Sequence, residues 1–257
     1  MDIPAILALY DRELRAGMEH PGARKEVLPH VVRFVRPAPG MNFVLYSRLD
    51  ETNADAVIAE QVAYFSPMGQ PFEWQAYAHD TPPDLLARLR AHGFVPDEAH
   101  TVMVLDLREV PGALLAPVDA DVRRITARDG LEDVIHIEEE VWGGDFGWMR
   151  ARMGDHLEIP GYLSLYVAYV QGTPACTGWT YFHAGSRFAG LFGGSTVPAL
   201  RGRGLYTAVL AQRVQEALER GRDFLVIDAS DMSRPIVSRY GFRLLAEAYA
   251  CEWKGDA

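Results

Sequence analysis

Cysteine is almost missing from this chain: Cys176 and Cys251 are the only two among 257 residues. Two cannot build a disulfide framework, so a reducing, cytoplasmic setting is the expectation. Basic residues are also in deficit, 25 Lys and Arg against 35 Asp and Glu. The resulting net charge of −10, shared by both halves, argues against a nucleic-acid partner and mildly favours a cationic one. No apolar run approaches a membrane span, and the acidic, amphipathic N-terminus does not read as a secretory signal. No His/Cys group has metal-ligand spacing, so no metal is expected. No Gly-Lys-Ser/Thr occurs, which removes a nucleotide P-loop. What is present is an ordinary globular composition, long enough for one large domain or two small ones with real cores.

The most informative stretch runs from Gly190 to Gly221. Gly190 to Val197 is apolar and punctuated by glycine, as a strand with a bulge at Gly193-Gly194 would be. Pro198 stops that strand and Arg201-Gly202-Arg203-Gly204 turns the chain. A helical pattern then places Tyr206, Leu210, Val214, Ala217 and Leu218 on one face, with Arg213, Glu216 and Arg220 elsewhere, and Gly221 ends it. Asp223 to Asp228 reads as a buried strand, joined to the first by a right-handed crossover. A strand, glycine loop, helix and strand in this order aim backbone N–H groups at one point, where a pyrophosphate can sit. Arg201 and Arg203 add positive charge there.

Val197 to Ala208 resembles the acyl-CoA loop of the GNAT superfamily of N-acyltransferases, Arg/Gln-x-x-Gly-x-Gly/Ala. Arg201, Gly204 and Tyr206 take the three signature places, with Tyr where the family has a small residue. Downstream, Ser233 to Arg243 is similar to the second signature, a short helix ending in Gly-Phe, here Gly241-Phe242. The resemblance implies acetyl-CoA as co-substrate, held by Thr196, Val197, Arg201, Gly202, Arg203, Gly204, Leu205, Tyr206 and Thr207. It also implies that the two strands flanking the crossover splay apart to admit the pantetheine arm. The expected fold is α/β: two tandem GNAT-like domains, each a mixed, mostly antiparallel sheet with a splayed parallel pair and helices on both faces.

The first half repeats the order helix, strand, helix ending in Gly93-Phe94, strand, with Asn53 as a helix cap and a helix from Ile3 to Met18. It reads as a degenerate copy, as in tandem proteins resembling mycothiol synthase. Its loop, Asp50-Glu51-Thr52-Asn53, has no glycine and two acids, which repel a pyrophosphate. An unrelated α/β domain in front of a single acyltransferase domain is the alternative. Residues 1–110 and 118–257 are the expected domains, with Pro111 to Pro117 as linker.

Acyl transfer to an amine needs a base, an oxyanion donor and a proton for the leaving thiolate. The family often has a carboxylate on the strand before the loop, but Phe188 to Val197 has none. Glu138, Glu139, Glu140, Asp145, His183 and Asp228 stay open as bases; Asp228, ending a strand by the expected cleft, is the one chosen. The family's usual tyrosine is replaced by Val237, so Tyr240 is expected to protonate the sulfur, with Ser230, Ser233 and Ser238 as other hydroxyls and Ser233 as a helix cap. In the segment lining the family's acceptor pocket, Trp142, Asp145 and Trp148, with Phe146, suit an amine cation. The expected partner is a small-molecule or peptide amine, with no nucleic acid or membrane, and a homodimer is open. Two rival readings remain: a dinucleotide site, opposed by Thr207 at the third glycine position, and a non-catalytic acyl-CoA-binding regulatory module.

Overall fold

The computed structural model describes residues 1–254. The chain forms two compact units, Met1–Val102 with Leu244–Ala257, and Met103–Arg243. In the first, α1 (Ile3–Tyr10) starts at Asp2, whose side chain accepts the Ala5 N–H. The spacing that predicts one helix to Met18 instead passes into a π-helical turn over Asp11–Arg15. Strands β1 (Arg24–Val27), β2 (Val31–Val35) and β3 (Asn42–Ser47) are antiparallel neighbours. Helix α2 (Ala54–Phe65) crosses to β4 (Phe72–Tyr77), which pairs parallel to β3, as a helical crossover requires. Asn53 does not cap α2 with its side chain; its Oδ1 accepts the Asp50 N–H at 2.9 Å. Helix α3 (Leu85–Ala91) and β5 (Phe94–Pro96) follow, and β6 (His100–Asp106) spans the division between the units.

In the second unit, α4 (Gly112–Leu115) lies inside the stretch expected to be a linker. Leu114 there is buried, and Gln215 Nε2 donates to the carbonyls of Leu114 and Ala116, each at 3.0 Å. Glycine and proline mark a change of direction here, but the leucine between them is core. Then come β7 (Val122–Ile125), α5 (Leu131–Trp142), α6 (Met149–Leu157), β8 (Leu163–Val170), β9 (Thr173–Tyr181), β10 (Phe188–Thr196), α7 (Leu205–Glu219), β11 (Phe224–Ala229) and α8 (Arg234–Arg239). Their sheet has the order β11-β10-β9-β8-β7. Only β10 and β11 run parallel.

Side chains of β8 alternate between the two faces. Leu163, Leu165 and Val167 pack with Leu131, Val134 and Met153 of α5 and α6, whereas Tyr166 and Ala168 pack with Leu205 and Val209 of α7. Both faces are covered, which is why β8 is apolar at nearly every position.

The last strand, β12 (Arg243–Trp253), lies in the span assigned by sequence to the second domain, yet its residues from Leu244 belong to the first unit. It pairs antiparallel with β4 over Ala248–Glu252 and with β5 over Cys251–Trp253. Sequence order gave no sign of this, because strand partners are chosen in space. Both cysteines are buried and unpaired.

Leu165 is fully buried between β8 and α5. Leu165→Ala is expected to lower unfolding stability by about 2–5 kcal/mol, read from denaturant midpoints; a loss under about 1 kcal/mol would mean this core closes around the gap.

Candidate functional site

The second unit holds a cavity of about 770 Å3. Its origin is local. The parallel pairing of β10 and β11 ends at Leu191↔Ile227, while β10 continues beside β9 to Thr196↔Cys176. Beyond Leu191 the two parallel strands therefore separate, and Ser195, Thr196, Asp228 and Ser230 line the space opened. At the same place the β10–β9 register shifts between Phe192 and Ser195. Gly193 (φ 59°) forms the bulge, and a Cβ on it would fall inside the Trp179 ring. Only glycine fits both the backbone and the space.

Behind the bulge lies Arg213 of α7. It is fully buried, and its Nη1 donates to the Phe192 carbonyl at 3.2 Å. Among the described residues no carboxylate pairs with it, and burial pulls its guanidinium below the usual value, opposed by Tyr206 and Cys176. Sequence spacing put Arg213 off the buried face. The helix is covered around more of its circumference than one stripe, since Glu216 is buried as well, bonded to Ser164, Tyr166 and Arg220.

One wall of the cavity is the N-terminus of α7. Gly202 (φ 75°) and Gly204 (φ 78°) take the left-handed turns that lead into it. No side chain caps this end, and the first intrahelical bond is Ala208 N–H to the Gly204 carbonyl, 2.9 Å. The N–H groups of Leu205, Tyr206 and Thr207 thus have no acceptor within the helix, an arrangement that suits phosphate oxygens. Arg201, exposed, also lines the cavity, and its Nε donates to the Thr196 carbonyl at 3.1 Å. In the first unit the corresponding loop is already satisfied from within. Asp50 Oδ1 accepts the N–H groups of Thr52 and Asn53 at 2.8 and 3.0 Å, and hydrogen bonds from Thr52 hold its carboxyl below the usual range.

On the opposite side, α5 contributes Glu138. Its neighbours Glu139 and Glu140 are exposed, whereas Glu138 is 4% exposed and faces the cavity. Burial pushes its carboxyl up to about 7, although hydrogen bonds from Ser195 and Trp142 pull the other way. Trp142 Nε1 donates to Ser195 Oγ at 2.9 Å, which leaves the serine hydroxyl hydrogen for the carboxylate. Glu138 Oε1 is buried and has no partner among the described residues. The signal for Glu138 was legible: it follows Val134 and Ile135 by four and three residues, on the buried face.

The other expected residues separate as follows. Thr196, Arg201, Gly202, Gly204, Leu205, Tyr206, Thr207, Asp228, Trp142 and Trp148 line the cavity; Val197, Arg203, Asp145 and Tyr240 do not. Val197 is buried, and its N–H is spent on the Ala175 carbonyl at 2.9 Å. Arg203 is exposed. Asp145 Oδ1 accepts the Gly147 N–H at 2.7 Å, which makes it part of a turn. The Tyr240 hydroxyl shares a hydrogen bond with Thr207 Oγ1 at 3.1 Å, so it meets the cavity only through Thr207. Ser233 does not cap α8; its N–H points to Ser230 Oγ at 3.3 Å. His183 is buried and packs edge-on to Tyr162.

No protein-family model matches the chain, and no curated protein matches it. Solved structures do. A GCN5-related N-acetyltransferase from Kribbella flavida is 14% identical with a TM-score of 0.75, over 99% of this chain and 96% of that one. A tandem GNAT protein from the clavulanic acid biosynthesis pathway is 13% identical with a TM-score of 0.62, over 98% and 87%. A GCN5-related N-acetyltransferase from Sphaerobacter thermophilus is 16% identical with a TM-score of 0.60, over 97% and 91%. The chain therefore has the mixed α/β fold of the GNAT acetyltransferases along nearly its whole length. No helix among the described residues is long and apolar enough to cross a membrane.

A carboxyl raised from 4.5 to about 7 in the folded state binds its proton more tightly folded than unfolded. It therefore costs stability as pH rises through that window, about 3 kcal/mol once pH exceeds 7. Glu138→Gln removes the charge and keeps the shape. Its melting temperature should gain several degrees on wild type between pH 5 and pH 8; a constant difference across that range would mean that Glu138 is not raised.

Proposed function

We propose that the chain is an acetyl-CoA-dependent N-acetyltransferase, and that Glu138 is its general base. One observation carries this reading: a buried carboxyl titrating near neutrality shares one cavity with the uncapped N–H groups of α7. In this reading the pyrophosphate of acetyl-CoA rests on the N–H groups of Leu205, Tyr206 and Thr207, with Arg201 nearby. The pantetheine arm lies in the gap between β10 and β11, alongside Thr196. The second unit alone takes the cofactor, since the loop of the first is filled by the Asp50 carboxylate. A cytoplasmic setting fits two free, buried cysteines.

An ammonium first gives one proton to water, and the neutral amine nitrogen then attacks the thioester carbonyl carbon. A C–N bond forms, the carbonyl π pair moves to oxygen, and its return expels the CoA thiolate. The proton lost by nitrogen goes to the Glu138 carboxylate and from there, directly or through water, to the sulfur. The products are the amide and CoA thiol. A base titrating near 7 suits this role, because it is substantially ionised at neutral pH and still a strong enough acceptor. The bulge at Gly193-Gly194 frees backbone N–H groups for the developing oxyanion. Asp228, at the end of β11, and Tyr240, acting through Thr207, have secondary parts: the first beside the leaving group, the second in holding the first turn of α7.

Glu138→Gln should lower kcat for thiol release by about a hundredfold or more, with the acetyl-CoA dissociation constant little changed. The wild-type rate should rise with pH through about 7, where the carboxylate forms, and the variant should lack that limb. A variant with the wild-type rate and pH profile would remove Glu138 from the reaction.

A further inference from the structure

The cavity wall away from the glycine loop is not a surface for a polar acceptor. Val141 and Trp142 from α5, Phe146 and Trp148 from the connection to α6, Met149, and Trp179 from β9 all face it. Trp142 and Trp148 are 56% and 53% exposed. Tryptophan left that far uncovered in one place marks a binding surface. The indole N–H of Trp142 is spent on Ser195, so what Trp142 offers a ligand is ring alone. Phe146 and Trp148 form a tilted pair with centroids 6.5 Å apart, so the two rings support each other and present one apolar surface.

Charge on the lining is sparse. Glu138, Arg201 and Asp228 are the charged residues among those described that line the cavity. Arg201 belongs to the glycine loop, and Asp228 stands on β11 beside Ser230. On the aromatic side there is one carboxylate, Glu138, with a buried oxygen lacking a partner. One carboxylate inside an aromatic wall matches one ammonium on an apolar body. It does not match a polyamine, which needs several carboxylates, or an amino sugar, whose hydroxyls would be buried without partners.

We infer that the acceptor is an arylalkyl monoamine, its ring held among Trp142, Phe146 and Trp148 and its nitrogen placed at the Glu138 carboxyl. This rests on the acetyltransferase reading above and adds the identity of the acceptor class. Trp148 contributes to ring binding and has no part in holding acetyl-CoA.

The test uses the full chain, acetyl-CoA and a panel of amines: 2-phenylethylamine, tryptamine, spermidine and glucosamine, followed by thiol release. The two arylalkylamines should exceed the two polar amines in kcat/KM by at least about thirtyfold, as burial of one aromatic ring allows. Trp148→Ala should raise KM for 2-phenylethylamine about tenfold while the calorimetric dissociation constant for acetyl-CoA stays within about twofold. Spermidine or glucosamine as the best acceptor, or an unchanged KM in Trp148→Ala, would overturn the acceptor class and leave the transferase reading standing. Acetyl-CoA that binds with no turnover of either arylalkylamine would also overturn it. Separately, saturable quenching of tryptophan fluorescence by 2-phenylethylamine, weakened in Trp148→Ala, is expected without acetyl-CoA. Its presence alongside failed acetyl-CoA binding would sink the cofactor assignment but support the amine site; its absence counts against the amine site.

Discussion

The cavity exists because two parallel strands stop pairing. β10 and β11 keep register from Phe188↔Phe224 to Leu191↔Ile227 and then part, and the bulge at Gly193 diverts β10 while it still follows β9. A sheet gives up ladder hydrogen bonds only where something replaces them. Here Arg213 supplies one replacement, donating to the Phe192 carbonyl from the face covered by α7. A buried guanidinium without a counter-charge is costly, and its position directly behind the bulge ties that cost to the shape of the site. It also sets a positive charge behind the place where an oxyanion would form.

Glu138 is the counterpart on the other face. Its carboxyl is desolvated by burial, and Ser195 and Trp142 only partly compensate. Stability and chemistry are opposed at this residue, as they often are where a group must be poised between two protonation states. The end of α7 offers N–H groups and the α5 side offers a buried carboxyl. The space between them is large enough, at about 770 Å3, for the reacting end of a cofactor and an apolar acceptor together.

Much of this was legible in the sequence. Glycine and arginine at 201–204 mark a turn followed by a helix, and Gly193-Gly194 in an apolar strand marks a bulge, because these residues have few other uses in such places. The fold followed from the resemblance of residues 197–208 and 233–243 to the two GNAT signatures, and the repeat in the first half from the order of its elements. Other features depended on packing that periodicity does not record. The phase set by Val134 and Ile135 separates Glu138 from Glu139 and Glu140, but the burial that raises its carboxyl comes from packing against the sheet. Arg213 and Glu216 read as a polar face because the groups on β8 and β10 that receive them, Ser164, Tyr166 and the Phe192 carbonyl, cannot be seen from the helix itself. Asn53 and Ser233 have cap-forming side chains, yet each is engaged three residues back, Asn53 Oδ1 accepting the Asp50 N–H and Ser233 Oγ donating to the Ser230 carbonyl. β12 has strand-like alternation but finds its partners in β4 and β5, a pairing set by topology.

Whether one cavity brings acetyl-CoA at the start of α7 to the Glu138 carboxyl is decided by a structure of the protein crystallised with CoA. The pyrophosphate oxygens are expected within hydrogen-bond distance of the N–H groups of Leu205, Tyr206 and Thr207, with the sulfur in the gap between β10 and β11 on the side facing Glu138. CoA bound elsewhere, or a sulfur directed away from Glu138, would contradict it.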